Sequence, residues 1–436
     1  MNQQEGPNFS LLASSSSDNN FIGMNTPSSS SSNNSSSLSS LSNNIHVCVT
    51  GATGFIATHL VYQLLAKGYI VHATVRSLES GRRELIQNIL QFDQKNSKEK
   101  GTGLLVSREL MEKNLVCFEA DLLKSGSFEK VIKGCRFVHH TASPFKVDVK
   151  DPQRDLVDPA LKGTLNVLQE CVKLRKSQSS TDPARLQRIM LTSSIASIVE
   201  TSVPGKVYDE TDWNLDSSVN NNPYLYSKVV AEKAAWTLMQ DAQAKNGDDF
   251  LELVTLCPAV VIGPPINPKL ISQSHESIML MARGEFPVIL PLDFAFVDVR
   301  DVSKAHINAM EKNMDDKTYF APSKKQRFVV SNGVTTSMKD LVNHMREAFP
   351  NPPYKWNKNL PTINLTGYLG IGVGKLAALI QPKGLRQYLN SVMGKPQFFN
   401  NSKIRNTFNL DFMNWKDSVT DSVKFLDENG FITSKL

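Results

Sequence analysis

Tyr224 and Lys228 stand four residues apart in the run NPYLYSKVVAEKAAW. Residues at i and i+4 share a helix face, so a phenol and an ammonium at this spacing can act on one bound group. A cation held beside a phenol favours the phenolate, which lowers the Tyr pKa and suits it to proton transfer near neutral pH. Upstream, RIMLTSSIAS presents Ser193 and Ser194 at the end of an apolar run. A hydroxyl there could donate to a substrate carbonyl oxygen as negative charge develops on it. Serine pairs after strands also serve as turn or capping residues. The order strand, Ser-Ser, Tyr-x-x-x-Lys favours the chemical role.

Such groups meet only if a parallel sheet carries them to one edge. IHVCVT from Ile45 suits a buried strand, and it runs straight into GATGFIATHLVYQLLAKG, which has helical periodicity and a closing Gly68. Between them Gly51, Gly54 and Ala57 form G-x-x-G-x-x-A: a tight turn, a close approach for a pyrophosphate, and a small contact between helix and sheet. The helix N-terminus would then face the anion with its N–H groups. Gly51, Ala52, Thr53, Gly54, Phe55 and Ile56 are the expected cofactor contacts. The next strand, YIVHATVRS, ends in Arg76 where an NAD site would place an acid, with Arg82 and Arg83 close behind. A guanidinium matches a 2′-phosphate in charge and fork geometry, so the expected cofactor is NADP(H).

NLVCFEADL ends in Asp121 and Leu122, and Asp121 could reach an adenine amino group or cap the following helix. CRFVHHTASPF runs out into Thr141, Ala142 and Ser143, small enough for a cofactor to lie along the strand ends. His139 and His140 must point to opposite faces, and no metal site is expected from them. The stretch from Glu84 to Lys113 reads as a polar, partly helical surface crossover. Asp151 to Lys173 reads as a long helix in which Asn166 is a buried brace.

These elements predict an α/β fold: a Rossmann-type doubly wound parallel sheet with a smaller C-terminal substrate lobe. The expected divisions are a disordered Ser/Asn-rich tail over 1–44, the NADP-binding domain over 45–263, and the lobe over 264–436 with segments near 294–332 returning to the main domain. Asp301 is expected to start a helix and His306 to pack inside. TINLTGYLGIGVGKLAALIQ is apolar but carries Lys375 and several glycines, which predicts a packed lobe helix and not a membrane anchor. WKDSVTDSVKFLDENG predicts a last amphipathic helix ending at Gly430.

The chain of 436 residues, 40% hydrophobic and 21% charged, can bury a full core. Its net charge of +6, not gathered into a basic stripe, suits an anionic small ligand better than nucleic acid. The five cysteines show no C-x-x-C, as in buried reduced thiols. The tail lacks the apolar run of a secretory signal and the arginines of a presequence, so a cytoplasmic protein without membrane partners is expected.

The chain resembles the extended short-chain dehydrogenase/reductase family, in the branch of dihydroflavonol reductases, cinnamoyl-CoA reductases and yeast-type methylglyoxal reductases. TGATGFIA, TVRS, HTASPF, LTSS, NPYLYSKVVAEKAAW, LCPAVVIGPP and FVDVRDVSKAH carry the likeness, in order, from Ile45 to about Asn313. The resemblance implies that Ser194 polarises a carbonyl, Tyr224 supplies a proton, and Lys228 lowers the Tyr pKa and binds the nicotinamide ribose. It further implies that Pro258 and Ala259 contact the carboxamide through backbone groups and that Asp121 and Leu122 frame the adenine. Homodimers are common among such proteins. Val199 stands where flavonoid reductases carry an Asn, and Pro223 where cinnamoyl-CoA reductases carry a Trp, so the carbonyl substrate stays unassigned. A nucleotide-sensing protein on the same fold and an isomerase or epimerase that retains NAD remain as alternatives.

Overall fold

Short runs of β-branched and aliphatic residues alternate with helical periods along the first two thirds of the chain, and each becomes a strand or a helix of one layered sheet. The computed structural model describes residues 44–143, 149–247, 250–312, 326–365, 367–379 and 383–432. The expected tail, apart from Asn44, and part of the returning segment, 313–325, lie outside the described residues. In order the main elements are β1 (His46–Thr50), α1 (Phe55–Ala66), β2 (Ile70–Val75), α2 (Leu78–Lys100), β3 (Leu115–Glu119), β4 (Phe137–His140), α3 (Asp158–Ser177), β5 (Arg188–Thr192), α4 (Pro223–Asn246) and β6 (Glu252–Pro258). There follow β7 (Val260–Ile262), α5 (Gln273–Ala282), β8 (Asp293–Asp298), α6 (Val299–Glu311), β9 (Gln326–Val330), β10 (Thr335–Ser337), α7 (Met338–Ala348), α8 (Gly367–Ala378), α9 (Lys383–Val392), α10 (Ser402–Phe408) and α11 (Trp415–Glu428).

Seven strands form one parallel sheet in the order β9-β6-β5-β4-β1-β2-β3. Helices cover both faces, so the strands read as apolar runs instead of alternating; Val47, Cys48 and Val49 of β1 are all fully buried. The chain winds outward from β1 through β2 to β3, then crosses back to β4. The strand order therefore reverses between β1 and β4, where an open α/β sheet leaves a crevice at its carboxyl edge. A second, three-stranded sheet, β10-β8-β7, joins Val260–Ile262, expected within the main domain, and Asp293–Asp298, expected mostly to return to it, to Thr335–Ser337. A separate hydrophobic cluster gathers around this sheet, holding Ile262 and Phe296 with Ile278, Leu341, Val342, Val419 and Val423. Among the described residues no helix is long and apolar enough to cross a membrane.

Three local expectations change. The crossover after β2 is more helical than its polarity suggests, because Leu85 and Ile89 give α2 a buried face. Its insertion is tied down by the buried Asp93 carboxylate, which accepts from the Tyr62 hydroxyl at 2.6 Å and from the Leu105 and Val106 amides at 3.0 and 3.1 Å. The long helix of the fourth crossover begins at Asp158 rather than Asp151, after a π-helical turn over Gln153–Val157. Asp301 does not start α6. Asp298 does, accepting from the Arg300 amide at 2.8 Å, while Asp301 in the first turn accepts from the Met413 amide at 2.6 Å.

Candidate active site

The loop between β1 and α1 is shaped for close approach. Gly51 has φ +67, and a Cβ there would stand 2.9 Å from the Ala142 Cβ at the end of β4. The Gly51 amide donates to Thr74 Oγ1 at 2.8 Å and the Ala52 amide to the Thr74 carbonyl at 2.9 Å, which fastens the turn to β2. Gly54 is the N-cap of α1 without a side-chain cap, and the first turn holds no acid. The leading N–H groups of the helix, with the positive end of its dipole, are thus offered to an anion. Arg76, Arg82 and Arg83 are exposed beside the end of β2, as a site for a 2′-phosphate requires. These residues fit a phosphorylated dinucleotide.

The other expected contacts are modified by their neighbours. Asp121 spends one carboxylate oxygen on the Leu123 amide, 2.8 Å away, so it caps a local turn and not a helix. Leu122 is held by its carbonyl, which accepts from Asn166 Nδ2 at 2.7 Å, so Asn166 is a brace. At the end of β6 the Ala259 amide donates to Val330 at 3.0 Å, which leaves carbonyls as the polar backbone that Pro258 and Ala259 could offer a carboxamide. His139 turns to His306, with 3.3 Å between their Nδ1 atoms, and His140 to Thr50 Oγ1 at 2.9 Å.

Ser194 follows β5 and caps a short 3-10 turn, its Oγ accepting from the Ala196 amide at 3.1 Å. That bond uses a lone pair and leaves the hydroxyl proton to be donated. Ser193 is committed elsewhere: its hydroxyl donates to Glu232 at 2.5 Å. α4 starts at Pro223 behind Asn222, a left-handed N-cap with φ 51 whose side chain is bonded to the buried Glu200 carboxylate. Tyr224 follows two residues later, and one turn on Lys228 reaches across to Ser143 Oγ at 2.7 Å. Ser143 follows β4 by three residues, next to Ala142, which faces Gly51 of the glycine loop, so α4 and the segments after β4 and β1 converge on the crevice.

Tyr224 keeps 36% of its surface exposed and Lys228 is half-buried, yet the protein packed around them, and not their mutual attraction, governs the direction in which each shifts. That packing pushes the Tyr224 hydroxyl up and the Lys228 ammonium down to about 8. The expected lowering of Tyr224 by Lys228 is therefore not what this arrangement gives. The ammonium lies over the Tyr224 ring, 5.2 Å from its centroid, and desolvation favours the neutral form of each group. Tyr388 of α9 stands close enough that Tyr224 adds to the upward push that burial exerts on its hydroxyl.

Two further residues shape the site from below. Glu232, on the same face of α4 as Tyr224 and Lys228, is 1% exposed and pairs with the equally buried Arg327 of β9 at 2.6 Å. Its second oxygen accepts from Ser193 and from Ser197, the latter at 2.6 Å, while Thr255 donates to the first at 3.0 Å. The Arg327 guanidinium covers the Trp213 ring at 3.7 Å and donates to the Glu210 and Asp212 carbonyls, both at 2.7 Å. Burial alone would raise the Glu232 carboxyl; Arg327 outweighs it and holds the group below the usual range. The pair thus clamps the turn carrying Ser194 onto the helix carrying Tyr224. Glu232 was visible four residues beyond Lys228 as a third member of one helix face. Nothing in the sequence indicated Arg327, which comes from a strand 95 residues away.

The model of the NAD dependent epimerase/dehydratase family matches residues 47–320. A cinnamoyl-CoA reductase of Medicago truncatula is 40% identical over 273 residues, 61% of this chain and 72% of that protein. A dihydroflavonol 4-reductase of Dianthus caryophyllus is 32% identical over 71% of this chain and 76% of its own length. Among solved structures, Gre2 of Candida albicans in complex with NADPH superposes with a TM-score of 0.62 at 28% identity, covering 88% of this chain and 99% of Gre2.

Proposed function

The chain belongs to the NAD dependent epimerase/dehydratase family, and from that premise we propose that it is an NADPH-dependent reductase of an aldehyde or ketone. The observation that carries this reading is the Lys228–Ser143 bond, which anchors the Tyr224 face of α4 against the strand end beside the glycine loop. The named relatives, and a Gre2 solved with NADPH, support the same reading.

When bound, NADPH supplies a hydride for the carbonyl carbon. Ser194 donates its hydroxyl proton as a hydrogen bond to the carbonyl oxygen, holding the group in place as negative charge grows on it. Tyr224, whose surroundings push its hydroxyl pKa up, gives its proton to that oxygen, and the product is an alcohol. Lys228 keeps a positive charge beside the phenol and favours the phenolate left behind. Arg76 holds the 2′-phosphate.

The test is NADPH oxidation by the purified protein over a panel of 2-oxoaldehydes, aliphatic and aromatic aldehydes, ketones, a dihydroflavonol and an acyl-CoA thioester. Turnover of at least one member is expected. Tight NADPH binding with no member reduced would overturn the reading and leave a nucleotide sensor.

Two effects follow from named residues. Arg76→Asp removes the guanidinium and adds a repelling carboxylate, so NADPH affinity should fall roughly 10- to 100-fold, the worth of a charge-assisted hydrogen bond. Calorimetric titration should show NADH binding weakened far less; equal losses for both cofactors would remove Arg76 from the 2′-phosphate site. Burial lowers Lys228 from its ordinary value to about 8, so its charge is complete below that pH and lost above it. The kcat/KM for NADPH, which reports ionisations of the free enzyme, should fall as pH rises through about 8. Lys228→Arg keeps its charge at every accessible pH and should shift that limb upward. An unmoved limb would assign the ionisation to another group.

A further inference from the structure

We propose that helix α8 is a docking face for an anionic membrane surface, on which the lobe rests without crossing the bilayer. The helix is built inside out. Its small residues Gly370, Gly374 and Ala378, each four apart, face the protein, and a Cβ at Gly374 would stand 2.4 Å from Met393 Sδ. Ile371 packs inward, but its other large apolar residues face outward: Leu369 is 83% exposed and Leu376 72%, with Val373 at 47% and Tyr368 at 95%, and Leu379 just past the helix end is 60% exposed. Positions 369, 373, 376 and 379 follow the helical period and form one stripe, and Lys375 is the one charge within the helix. Packing against the lobe requires the glycines, but it does not require large hydrophobic residues on the opposite face.

Charge decides among occupants. From 348 to 410 the chain holds eight Lys and Arg and no Asp or Glu, so the rest has 40 basic against 42 acidic residues and the whole positive excess lies here. Lys403 turns inward to the Arg327 carbonyl at 2.8 Å and Arg405 lies 3.5 Å from Asp411. Lys355, Lys358 and Lys375 are exposed, with no acidic partner among the described residues. The apolar stripe is flanked by Lys375, which like charge keeps from pairing with a second copy of itself, on a segment that carries no acid. It complements an interface that offers acyl chains behind anionic headgroups. The even spread of positive charge expected above does not hold for this segment, and the absence of acids from it was legible without the structure.

The test is co-sedimentation of the full chain with vesicles of phosphatidylcholine alone and with added phosphatidylserine, at low and high salt. Binding to the phosphatidylserine vesicles, weakened by salt, is expected, because screening shortens the reach of the lysines. Leu369→Asp with Leu376→Asp should reduce the bound fraction by roughly ten-fold or more, the effect of removing two buried aliphatic side chains, and Lys375→Glu should reduce it less. NADPH affinity and thermal midpoint serve as controls that the variants fold. No binding to the anionic vesicles, or equal and salt-independent binding to both kinds, would overturn the proposal. A dimer in light scattering that the paired Asp variant dissociates would assign the face to a second copy of the chain instead.

Discussion

Tyr224→Phe should lower kcat for carbonyl reduction by roughly 10²- to 10⁴-fold, the usual contribution of a positioned proton donor. The change removes one oxygen and keeps the ring, which packs under the Lys228 ammonium at 5.2 Å, so the fold and the cofactor site should be unaffected. Stopped-flow measurement of a single turnover, with NADPH affinity from fluorescence titration, separates the two. Retained turnover in the variant would transfer the proton donor's role to another hydroxyl, and Tyr388, whose hydroxyl feels the charge of Tyr224, would be the next to replace. Loss of NADPH binding instead of turnover would make Tyr224 a cofactor ligand first.

The second large effect should come from a residue that touches neither substrate nor cofactor. Arg327→Met leaves Glu232 buried among Ser193, Ser197 and Thr255 without its cation. Removing one partner of a buried pair costs about 3–5 kcal/mol, because the remaining charge is desolvated and uncompensated. Urea unfolding followed by far-UV circular dichroism measures the loss. Replacing both partners, Glu232→Leu with Arg327→Met, should recover part of it, since no buried charge then remains. If the double variant is as unstable as the sum of the single ones, the pair is not coupled and the clamp on the Ser194 turn falls with it. The recovered double variant is also informative in kinetics. A positioning role for the pair predicts that its kcat stays low even where its stability returns.

Residue types and their order along the chain determined much of this protein. The apolar runs from Ile45 to Pro258 with intervening helical periods settled the parallel doubly wound sheet, because buried strands must be continuous in hydrophobicity and parallel neighbours need helical crossovers. The Gly51 turn, Arg76, and the Tyr224–Lys228 spacing were equally local, since each depends on backbone conformation or helix geometry within a few residues. Tertiary structure decided which of two adjacent serines is left to donate. Ser193 and Ser194 are alike in sequence, and only the arrival of Glu232 beneath the turn commits the first. It also decided the protonation of Tyr224 and Lys228, because desolvation depends on everything packed around a group and not on its neighbour four residues away. The outward stripe of α8 is of the same kind. Its hydrophobicity was plain in the sequence, but a helix period has no inside until Met393 and Leu290 close on Gly374 and leave Leu369 and Leu376 to the solvent.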